Sequence, residues 1–583
     1  MTTTFLQKLR NVNWTSPIVS QWPLMLFYII LIGWGSVTKN PFPRWMIIFL
    51  HAYIAAAIVQ LSHSRIVKAA VYLIIYTLFL TELVLSWLFG MHISPAVLML
   101  VIETTGRESQ EFFSMLPDKP DFWPMTLIAV MLLILNIATE YGKQYIDMML
   151  KRYGKALRVL RYIGMLFLAV GIVFSTISYS KLLGCKEMNE IDEWRSHMRN
   201  PGDAVTMLLV STWDVYLSGK EMERATAEVE HIETVAQEQP SDSITLILVI
   251  GESYIREHAG LYGYPLPTTP FLSAEREAGR LFVFNDAVTP YNQTTKVIRN
   301  MLSCNSLGDG EHWASRPPLT AVFKKNGYWV SMQDNQKTAN VADVFGFSLN
   351  TYLYHPTMAA ACYNETNEET KEYDGELVEV YRRHHQEPTS AQQLLVFHLM
   401  GQHESFEQRY PHTDKRFEVF SADSIGHRDE EWLTQEMRQM IAHYDNATRY
   451  NDYVLEQITK LYEDKQTVIV YTSDHGEEVY DYRPSYGRDS WELGGNPEQA
   501  LRYQYRVPFV VWCSEAYKAQ HPDIIGQLNS STERPLMIDN ICHLLFHLTS
   551  LKTPYYQSQR DILSDDYHCP PRLVNDQVVF DSF

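Results

Sequence analysis

Residues Thr467–Glu478 read TVIVYTSDHGEE, an apolar run that stops at a polar cluster. A short run rich in Val and Ile that ends near a Gly is typical of a buried strand in a parallel sheet. Ligands bind at the carboxyl ends of such strands in open α/β sheets. Here Asp474 and His475 follow the strand, and a carboxylate beside a neutral imidazole suits Zn²⁺. A capped turn with an incidental histidine explains the same residues, so this segment alone leaves both interpretations open.

The chain around this segment alternates between strand-like and helix-like patterns. The other predicted strands are Ile244–Ile250, Trp329–Met332, Leu394–Met400 and Val507–Trp512. The predicted helices include Leu319–Lys325 and the long stretch Trp432–Leu461. Strands separated by helices form a mostly parallel sheet with helices on both faces. The predicted fold class of this part is therefore α/β.

Two other predicted strands also end in residues that can bind metal or phosphate. Glu252 follows the strand Ile244–Ile250, and His403 follows Leu394–Met400. Because the carboxyl ends of parallel strands meet at one edge of the sheet, we expect these side chains to lie near Asp474. Several strands that end in such residues indicate a ligand site more specifically than a single Asp-His pair does.

A hydroxyl nucleophile is predicted in AVTPYNQTTKVIRNMLS, residues 287–303. Thr294 and Thr295 precede a stretch with helical apolar spacing. A hydroxyl at a helix N-terminus lies in a positive field, and coordination to Zn²⁺ would make its alkoxide accessible. Threonine is also a good helix cap, so a purely structural role stays open at this point.

The first third of the chain is far more apolar than the rest. Five stretches have the length and apolarity of membrane helices: Ile18–Val37, Trp45–Leu61, Val67–Phe89, Trp123–Thr139 and Arg161–Tyr179. Buried helices of a soluble protein are the alternative for each.

The 49 Lys and Arg against 68 Asp and Glu give a net charge of -19, which argues against a nucleic-acid partner.

Basic residues between the predicted spans indicate their orientation. Five of them crowd the connection between the fourth and fifth spans: Lys143, Lys151, Arg152, Lys155 and Arg158. Such loops face the cytoplasm, whereas Lys39 and Arg44 between the first two spans run against this assignment. With an odd number of spans, everything after about Ser180 lies on the outer face, which is the periplasm of a Gram-negative cell.

This topology predicts three regions. They are a five-helix transmembrane domain at 1–182, a helical connector at 183–242 and a catalytic domain at 243–583. All six cysteines fall on the predicted outer side, where disulfides can persist, but their pairing cannot be read from spacing.

The ordered motifs resemble those of the membrane phosphoethanolamine transferases, which belong to the sulfatase and alkaline-phosphatase-like superfamily. The motifs are VIGES at 249–253, LYGYPLPTTP at 261–270, HLMGQH at 398–403, RYP at 409–411, SDHGEE at 473–478 and VPFVVW at 507–512. The longer matches GESYIREHAGLYGYP and SDHGEEVYD are most similar to members that modify the lipopolysaccharide core.

The resemblance implies roles for six residues. It makes Thr294 the nucleophile. It makes Glu252, Thr294, Asp474 and His475 the ligands of one Zn²⁺. It also implies that His403 contacts the transferred phosphate or a second zinc and that Asn335 lines the substrate pocket. Thr294 is preferred to Thr295 because Ile298 and Ser303 match the family's register. The family's further His downstream is missing between Gly476 and Pro508, which puts a second zinc in doubt. Tyr486 and Tyr503 are the candidates for that place.

The implied function is transfer of phosphoethanolamine from phosphatidylethanolamine to a lipopolysaccharide acceptor, either a core sugar or lipid A, through a covalent intermediate on Thr294. The implied location is the bacterial inner membrane, multi-pass, with the catalytic domain in the periplasm; we expect a monomer. The alternatives are a phosphoglycerol transferase that uses phosphatidylglycerol and a non-catalytic membrane sensor. A plain sulfatase is disfavoured because the chain has no Cys-x-Pro-Ser-Arg or Ser-x-Pro-Ser-Arg motif.

Overall fold

The computed structural model describes residues 42–62, 64–89, 122–142, 154–187, 204–235, 243–337, 349–488, 496–575 and 578–582, with a few isolated positions elsewhere. The chain forms two compact units, one that extends to Lys220 and one that begins at Glu221. The domain boundaries read from the sequence stay predictions.

The N-terminal part is helical in the residues described. Its helices are α1 Phe42–Leu61, α2 Arg65–Phe89, α3 Phe122–Tyr141, α4 Gly154–Gly184 and α5 Ala204–Glu230. Helices α1 to α4 cover four of the five predicted spans, and the predicted span Ile18–Val37 lies almost wholly outside the described residues.

Length and apolarity sufficient to cross a membrane are found in one helix of the described residues. That segment is Phe122–Thr139 in α3, with a mean hydropathy of 2.0, while Leu50–Val59 and Ala169–Gly184 are shorter apolar helical stretches. The predicted five-helix membrane bundle is therefore not confirmed.

The second unit is built on a seven-stranded sheet. Its strands are β1 Ile244–Gly251, β2 Leu281–Phe284, β3 Trp329–Asp334, β4 Glu365–Thr366, β5 Gln392–His398, β6 Thr467–Ser473 and β7 Phe509–Cys513. They lie in the order β2-β7-β6-β1-β5-β3-β4. Strand β7 runs antiparallel to both of its neighbours, so the sheet is mixed rather than all parallel.

Helices of this unit cover and connect the strands. They are α6 Pro270–Glu277, α7 Thr294–Met301, α8 Leu319–Lys325, α9 Leu349–Tyr354, α10 Pro356–Cys362, α11 Asp374–His384, α12 Gln435–Tyr462, α13 Pro497–Tyr505, α14 Glu515–Gln520, α15 Pro522–Ser531 and α16 Ile541–Leu548. Short paired strands complete the unit: Ala287–Val288 with Leu536–Met537, Glu478–Val479 with Tyr486–Gly487, and Leu573–Val574 with Val578–Val579. The α/β class predicted for this part is confirmed.

The two central strands determine where the site lies. Every residue of β1 and β6 is buried, as expected for strands covered on both faces. They pair in parallel with Gly251 opposite Ser473, so the residues that follow each strand lie side by side. Gly251 is needed there, because a Cβ at this position would lie 2.5 Å from the Tyr471 hydroxyl.

The six cysteines are free thiols, and Cys569 is the one among them that is partly exposed.

Candidate metal centre and active site

Three predicted ligands converge just beyond the ends of β1 and β6. Glu252, Asp474 and His475 are fully buried, and one ligand atom from each lies within 4.8 Å of the others. His475 Nε2 is 3.3 Å from Glu252 Oε1 and 3.1 Å from Asp474 Oδ2. Two carboxylates and an imidazole at such distances form a donor set that suits a divalent cation.

Thr294 places its hydroxyl in the same cluster. Its Oγ1 donates a hydrogen bond of 3.0 Å to Glu252 Oε2 and lies 3.2 Å from His475 Nε2. Thr294 is the first residue of α7, and the preceding Gln293 makes no side-chain cap there. The first N–H groups of a helix have no acceptor within it, so this end of α7 offers donors to an anion.

The tautomer of His475 fits metal binding. Its Nδ1 lies 2.9 Å from the Gly476 carbonyl, which can only accept, so Nδ1 carries the proton. The lone pair on Nε2 then faces the two carboxylates, Thr294 and the Arg488 guanidinium, which contacts Nε2. Burial and the positive charge of Arg488 lower the pKa of His475 to about 3, so the ring stays neutral.

The Asp474 carboxylate has an oxygen without a hydrogen-bond donor. Its Oδ2 is buried and has no hydrogen-bond partner in the described part of the chain. Burial, together with the adjacent Glu252 carboxylate, raises the pKa of Asp474 well above its usual value. A bound cation would stabilise a buried carboxylate oxygen that has no donor and lies next to a second carboxylate and a neutral imidazole. The residues present therefore fit a bound metal ion.

Ser253 holds the two carboxylates in place. Its backbone N–H donates to Asp474 Oδ1 at 3.1 Å, and its hydroxyl donates to Glu252 Oε1 at 2.8 Å. The φ of Ser253 is +56°, a conformation that a non-glycine residue rarely adopts and that needs support from its surroundings. Tyr444 supplies that support, since its hydroxyl donates to the Ser253 carbonyl at 2.6 Å.

Two further residues, which were not predicted from the sequence, also reach the site. Gln336 donates from Nε2 to Glu252 Oε2 at 3.0 Å and to the Leu399 carbonyl at 2.8 Å. Arg488 contacts His475 Nε2 and lies 3.3 Å from a carboxylate oxygen of Glu477. The sequence signals for these two residues are weak: Gln336 adjoins Asn335, and Arg488 lies between Gly476 and Pro508, where the family has its further histidine.

The two predicted substrate residues occupy different positions. Asn335 is buried, donates to Asp374 at 2.8 Å and accepts from the Lys371 backbone at 2.7 Å, so its amide is engaged within the protein. His403 is partly exposed and follows β5. Its charge contributes, after burial and Arg488, to the lowered pKa of His475, which places it near the site.

Tyr486 and Tyr503, the candidates for the place of the family's further histidine, are not placed as metal ligands. Tyr486 is 43% exposed on a short hairpin, and Tyr503 stacks on Tyr482 with ring centroids 5.9 Å apart. In the described part of this segment, Arg488 is the residue that reaches His475.

Gly401, just after β5, is expected to be essential for the site geometry. Its φ is +50°, and a Cβ there would lie 2.8 Å from both the backbone nitrogen and the backbone oxygen of Glu252. Gly401→Ala should therefore lower the free energy of unfolding by about 2 kcal/mol and reduce bound metal, because Glu252 must shift. Chemical denaturation and metal analysis would measure both effects.

Gly526 supplies the matched control. It lies within α15 with open space around a would-be Cβ, so Gly526→Ala should stabilise by about 0.5–1 kcal/mol and leave metal content unchanged. Equal metal content in the two variants would show that Gly401 does not position Glu252.

This fold and this buried carboxylate–histidine site define a sulfatase-type protein. Residues 244–549 match the family described as Sulfatase, and the chain belongs to that family. Within it, the chain is similar to phosphoethanolamine transferase EptC of Escherichia coli strain K12, with 24% identity over 576 residues that cover 95% of this chain and 93% of that protein. It is also 24% identical over 525 residues to phosphoethanolamine transferase CptA of Salmonella typhimurium, which covers 88% of this chain and 84% of that one. The resemblance to phosphoethanolamine transferases is confirmed.

The chain is also similar to a solved structure. The C-terminal periplasmic domain of EptC from Escherichia coli, in complex with Zn, is 25% identical with a TM-score of 0.50. It covers 60% of this chain and 97% of that domain.

Proposed function

We propose that the chain transfers phosphoethanolamine from phosphatidylethanolamine to a lipopolysaccharide acceptor, a core sugar or lipid A, by way of a phosphoethanolamine ester on Thr294. The observation that carries this proposal is the position of the Thr294 hydroxyl, 3.0 Å from Glu252 within a buried ligand cluster. The names of the similar proteins, phosphoethanolamine transferases EptC and CptA, support the transferred group.

In the first half-reaction, Thr294 Oγ1 forms a bond to the phosphorus of the donor. The bond from phosphorus to the diacylglycerol oxygen breaks, and diacylglycerol leaves. Glu252 Oε2, which accepts the Thr294 hydrogen bond, is placed to relay this proton to the diacylglycerol oxygen, so that diacylglycerol leaves as the alcohol. The backbone N–H groups in the first turn of α7 would bind the phosphoryl oxygens as negative charge grows on them.

In the second half-reaction, a hydroxyl or phosphate oxygen of the acceptor attacks the same phosphorus. The bond from phosphorus to Thr294 Oγ1 breaks, and Oγ1 takes up the proton that the acceptor oxygen loses. Gln336 fixes the orientation of Glu252 throughout, because it donates to Oε2 while it is held by the Leu399 carbonyl. The nucleophile is thus positioned by residues from three separate segments.

The proposed cofactor is one Zn²⁺ held by Glu252, Asp474, His475 and the Thr294 oxygen. Bound zinc would lower the pKa of the Thr294 hydroxyl and offset charge on the phosphoryl oxygens. The orphaned Asp474 Oδ2 and the EptC domain solved with Zn support this assignment. Arg488, rather than a second histidine, supplies positive charge beside His475, so a second ion is not proposed.

The proposed location is the bacterial inner membrane, with several spans and the catalytic domain in the periplasm. The apolar segment Phe122–Thr139 and the basic connection between the fourth and fifth predicted spans support it. Phosphatidylethanolamine is a membrane lipid, so its headgroup would be presented at the bilayer surface. The protein is proposed to act as a monomer.

Mass spectrometry of envelope glycolipids tests this function. A strain that expresses the chain should gain glycolipid species heavier by one phosphoethanolamine, and a strain that expresses Thr294→Ala should not. Fragmentation of the modified species would locate the acceptor on the core or on lipid A. A gain of phosphoglycerol would instead favour the alternative donor, and unchanged glycolipids would contradict both assignments.

A further inference from the structure

Helix α7, which carries Thr294, is tied to helix α5 through one buried carboxylate. Glu221 lies in α5 and is the first residue of the second unit, while Arg299 lies in α7, one and a half turns after Thr294. The side chains of Glu221 and Arg299 are only 4% and 3% exposed, and Arg299 Nη1 is 3.4 Å from Glu221 Oε2. A carboxylate from outside α7 therefore holds the helix of the proposed nucleophile.

Two aromatic side chains that follow α7 donate to the same carboxylate. Trp313 Nε1 donates to Glu221 Oε2 at 3.2 Å. His312 Nδ1 accepts from the Ala314 backbone N–H at 3.2 Å, so the ring proton lies on Nε2, which is 3.3 Å from Glu221 Oε1. The Arg299 guanidinium lies over the Trp313 ring, 5.3 Å from its centroid. Glu221, Arg299, His312 and Trp313 are called the Glu221 cluster below.

Thr294 and Arg299 lie on different sides of α7. They project about 140° apart around the helix axis, because each residue turns the helix by about 100°. Thr294 Oγ1 is 3.0 Å from Glu252 in the ligand cluster, whereas Arg299 points to Glu221. Among the described residues, Gln293 gives the start of the helix no side-chain cap. Rotation of α7 would therefore break the contact with Glu221 and displace the Thr294 hydroxyl at the same time.

The Glu221 cluster suits orientation better than stability. Desolvation of two buried charges offsets most of their attraction, so apolar residues of similar size often stabilise a fold equally well. The ion pair adds direction, because a guanidinium and an indole N–H must both point at one carboxylate oxygen. A small displacement of a reacting group can slow a reaction about a hundredfold, so the orientation of α7 matters for the rate.

We propose that Glu221 is a positioning residue for the transfer reaction. It fixes the rotation of α7 about its axis and so keeps the Thr294 hydroxyl at the ligand cluster, in line for attack on phosphorus. The inference rests on the proposed function, in which Thr294 is the nucleophile. Loss of the Glu221 cluster should lower kcat far more than it changes the KM for the donor, because attack needs closer alignment than binding does.

The double variant Glu221→Gln/Arg299→Gln tests this role. It removes one negative and one positive charge together, so the net charge of the cluster stays the same. In the full chain in detergent, kcat for headgroup release should fall about 10- to 100-fold, while the KM for phosphatidylethanolamine should change less than about twofold. A fall in KM-limited rate alone, with kcat kept, would contradict a positioning role.

Glu275→Gln/Arg280→Gln is the matched control. The Glu275 carboxylate likewise accepts from an arginine and an indole, Arg280 Nη2 at 2.5 Å and Trp512 Nε1 at 2.6 Å. Glu275 belongs to α6, and neither Glu275 nor Arg280 lies in α7. This variant should keep the kcat of the wild type even where its Tm falls. Equal kcat in the two double variants would overturn the proposal.

Glu221→Asp is the second variant, and it keeps both charges of the pair. It draws the carboxylate back by one carbon–carbon bond, about 1.5 Å, so Arg299 and Trp313 must either follow it or lose contact. The kcat should fall about three- to tenfold, while the Tm stays close to that of the wild type. A folded Glu221→Asp protein with the kcat of the wild type would contradict the proposal, whether or not the double variant folds.

Hydrogen exchange separates a failure of this inference from a failure of the proposed function. The backbone N–H groups of α7 should exchange faster in Glu221→Gln/Arg299→Gln than in the wild type or in Glu275→Gln/Arg280→Gln. If the wild type transfers nothing while this exchange still rises, the proposed function fails and the anchoring of α7 by Glu221 stands. If the wild type is active and the Glu221 double variant keeps its kcat, Glu221 does not position the nucleophile.

Discussion

Thr294→Ala should reduce transfer more than about a thousandfold while the protein stays folded. The expected loss is that of a nucleophile, since no other hydroxyl among the described contacts lies between Glu252 and His475. Thr294 occupies the first position of α7, where alanine is a good helix former, so stability should change little. Headgroup release from phosphatidylethanolamine would measure the activity, and thermal unfolding would verify the fold.

Thr295→Ala provides the matched control for this experiment. Thr295 adjoins Thr294 at the start of the same helix, yet Thr294 is the one that contacts the ligand cluster. Thr295→Ala should keep most of the activity. Mass analysis of wild-type protein incubated with donor alone should find a phosphoethanolamine adduct on the peptide that contains residue 294. Full activity in Thr294→Ala, or an adduct that survives this substitution, would exclude Thr294 as the nucleophile.

Much of the site was predictable because its signals are local. Glu252, Asp474 and His475 directly follow buried strands, and the apolar patterns of those strands are readable without tertiary information. Helix α7 has a similarly clear pattern after Thr294. The resemblance then chose Thr294 over Thr295, a distinction that spacing alone left open.

The missed residues depend on tertiary structure. Gln336 and Arg488 lie in loops with no periodic pattern, and only the folded chain brings them to Glu252 and His475. The side chain of Asn335 turns to Asp374, whereas that of the next residue, Gln336, reaches Glu252, a proposed metal ligand. Asn335 and Gln336 lie in the turn that follows β3, where adjacent side chains point in different directions, so a shift of one position changes the role.

Strand direction was not predictable either. The segment predicted as Val507–Trp512 is a strand, observed as Phe509–Cys513, but it runs antiparallel between β2 and β6. An apolar run has the same pattern in either direction, and only the path of the connecting chain decides. The same limit holds for membrane helices, since apolar runs predict helices more securely than they predict spans.

Asp474→Asn should remove bound zinc and leave the fold intact. Asp474 Oδ1 accepts from the His475 backbone N–H at 2.7 Å and from Ser253 N–H at 3.1 Å. An asparagine can keep both bonds through its amide oxygen, and its NH₂ group then replaces Oδ2. The two N–H bonds of this NH₂ group would point where the cation needs a lone pair. The affinity for zinc should therefore fall sharply, although the shape of the side chain is unchanged.

Two measurements separate this effect from misfolding. Zinc content by elemental analysis should fall to background in Asp474→Asn. Added zinc should no longer raise the Tm of this variant. In the wild type, zinc at about 100 times its Kd should stabilise the fold by about 2.7 kcal/mol. Without metal, the variant should unfold at or above the wild-type temperature, because the carboxylate of Asp474 no longer adjoins that of Glu252. Asp464→Asn, an exposed acid in the turn before β6, should bind zinc normally. Unchanged zinc in Asp474→Asn would exclude this carboxylate as a ligand, since the substitution alters one oxygen and nothing else in the cluster.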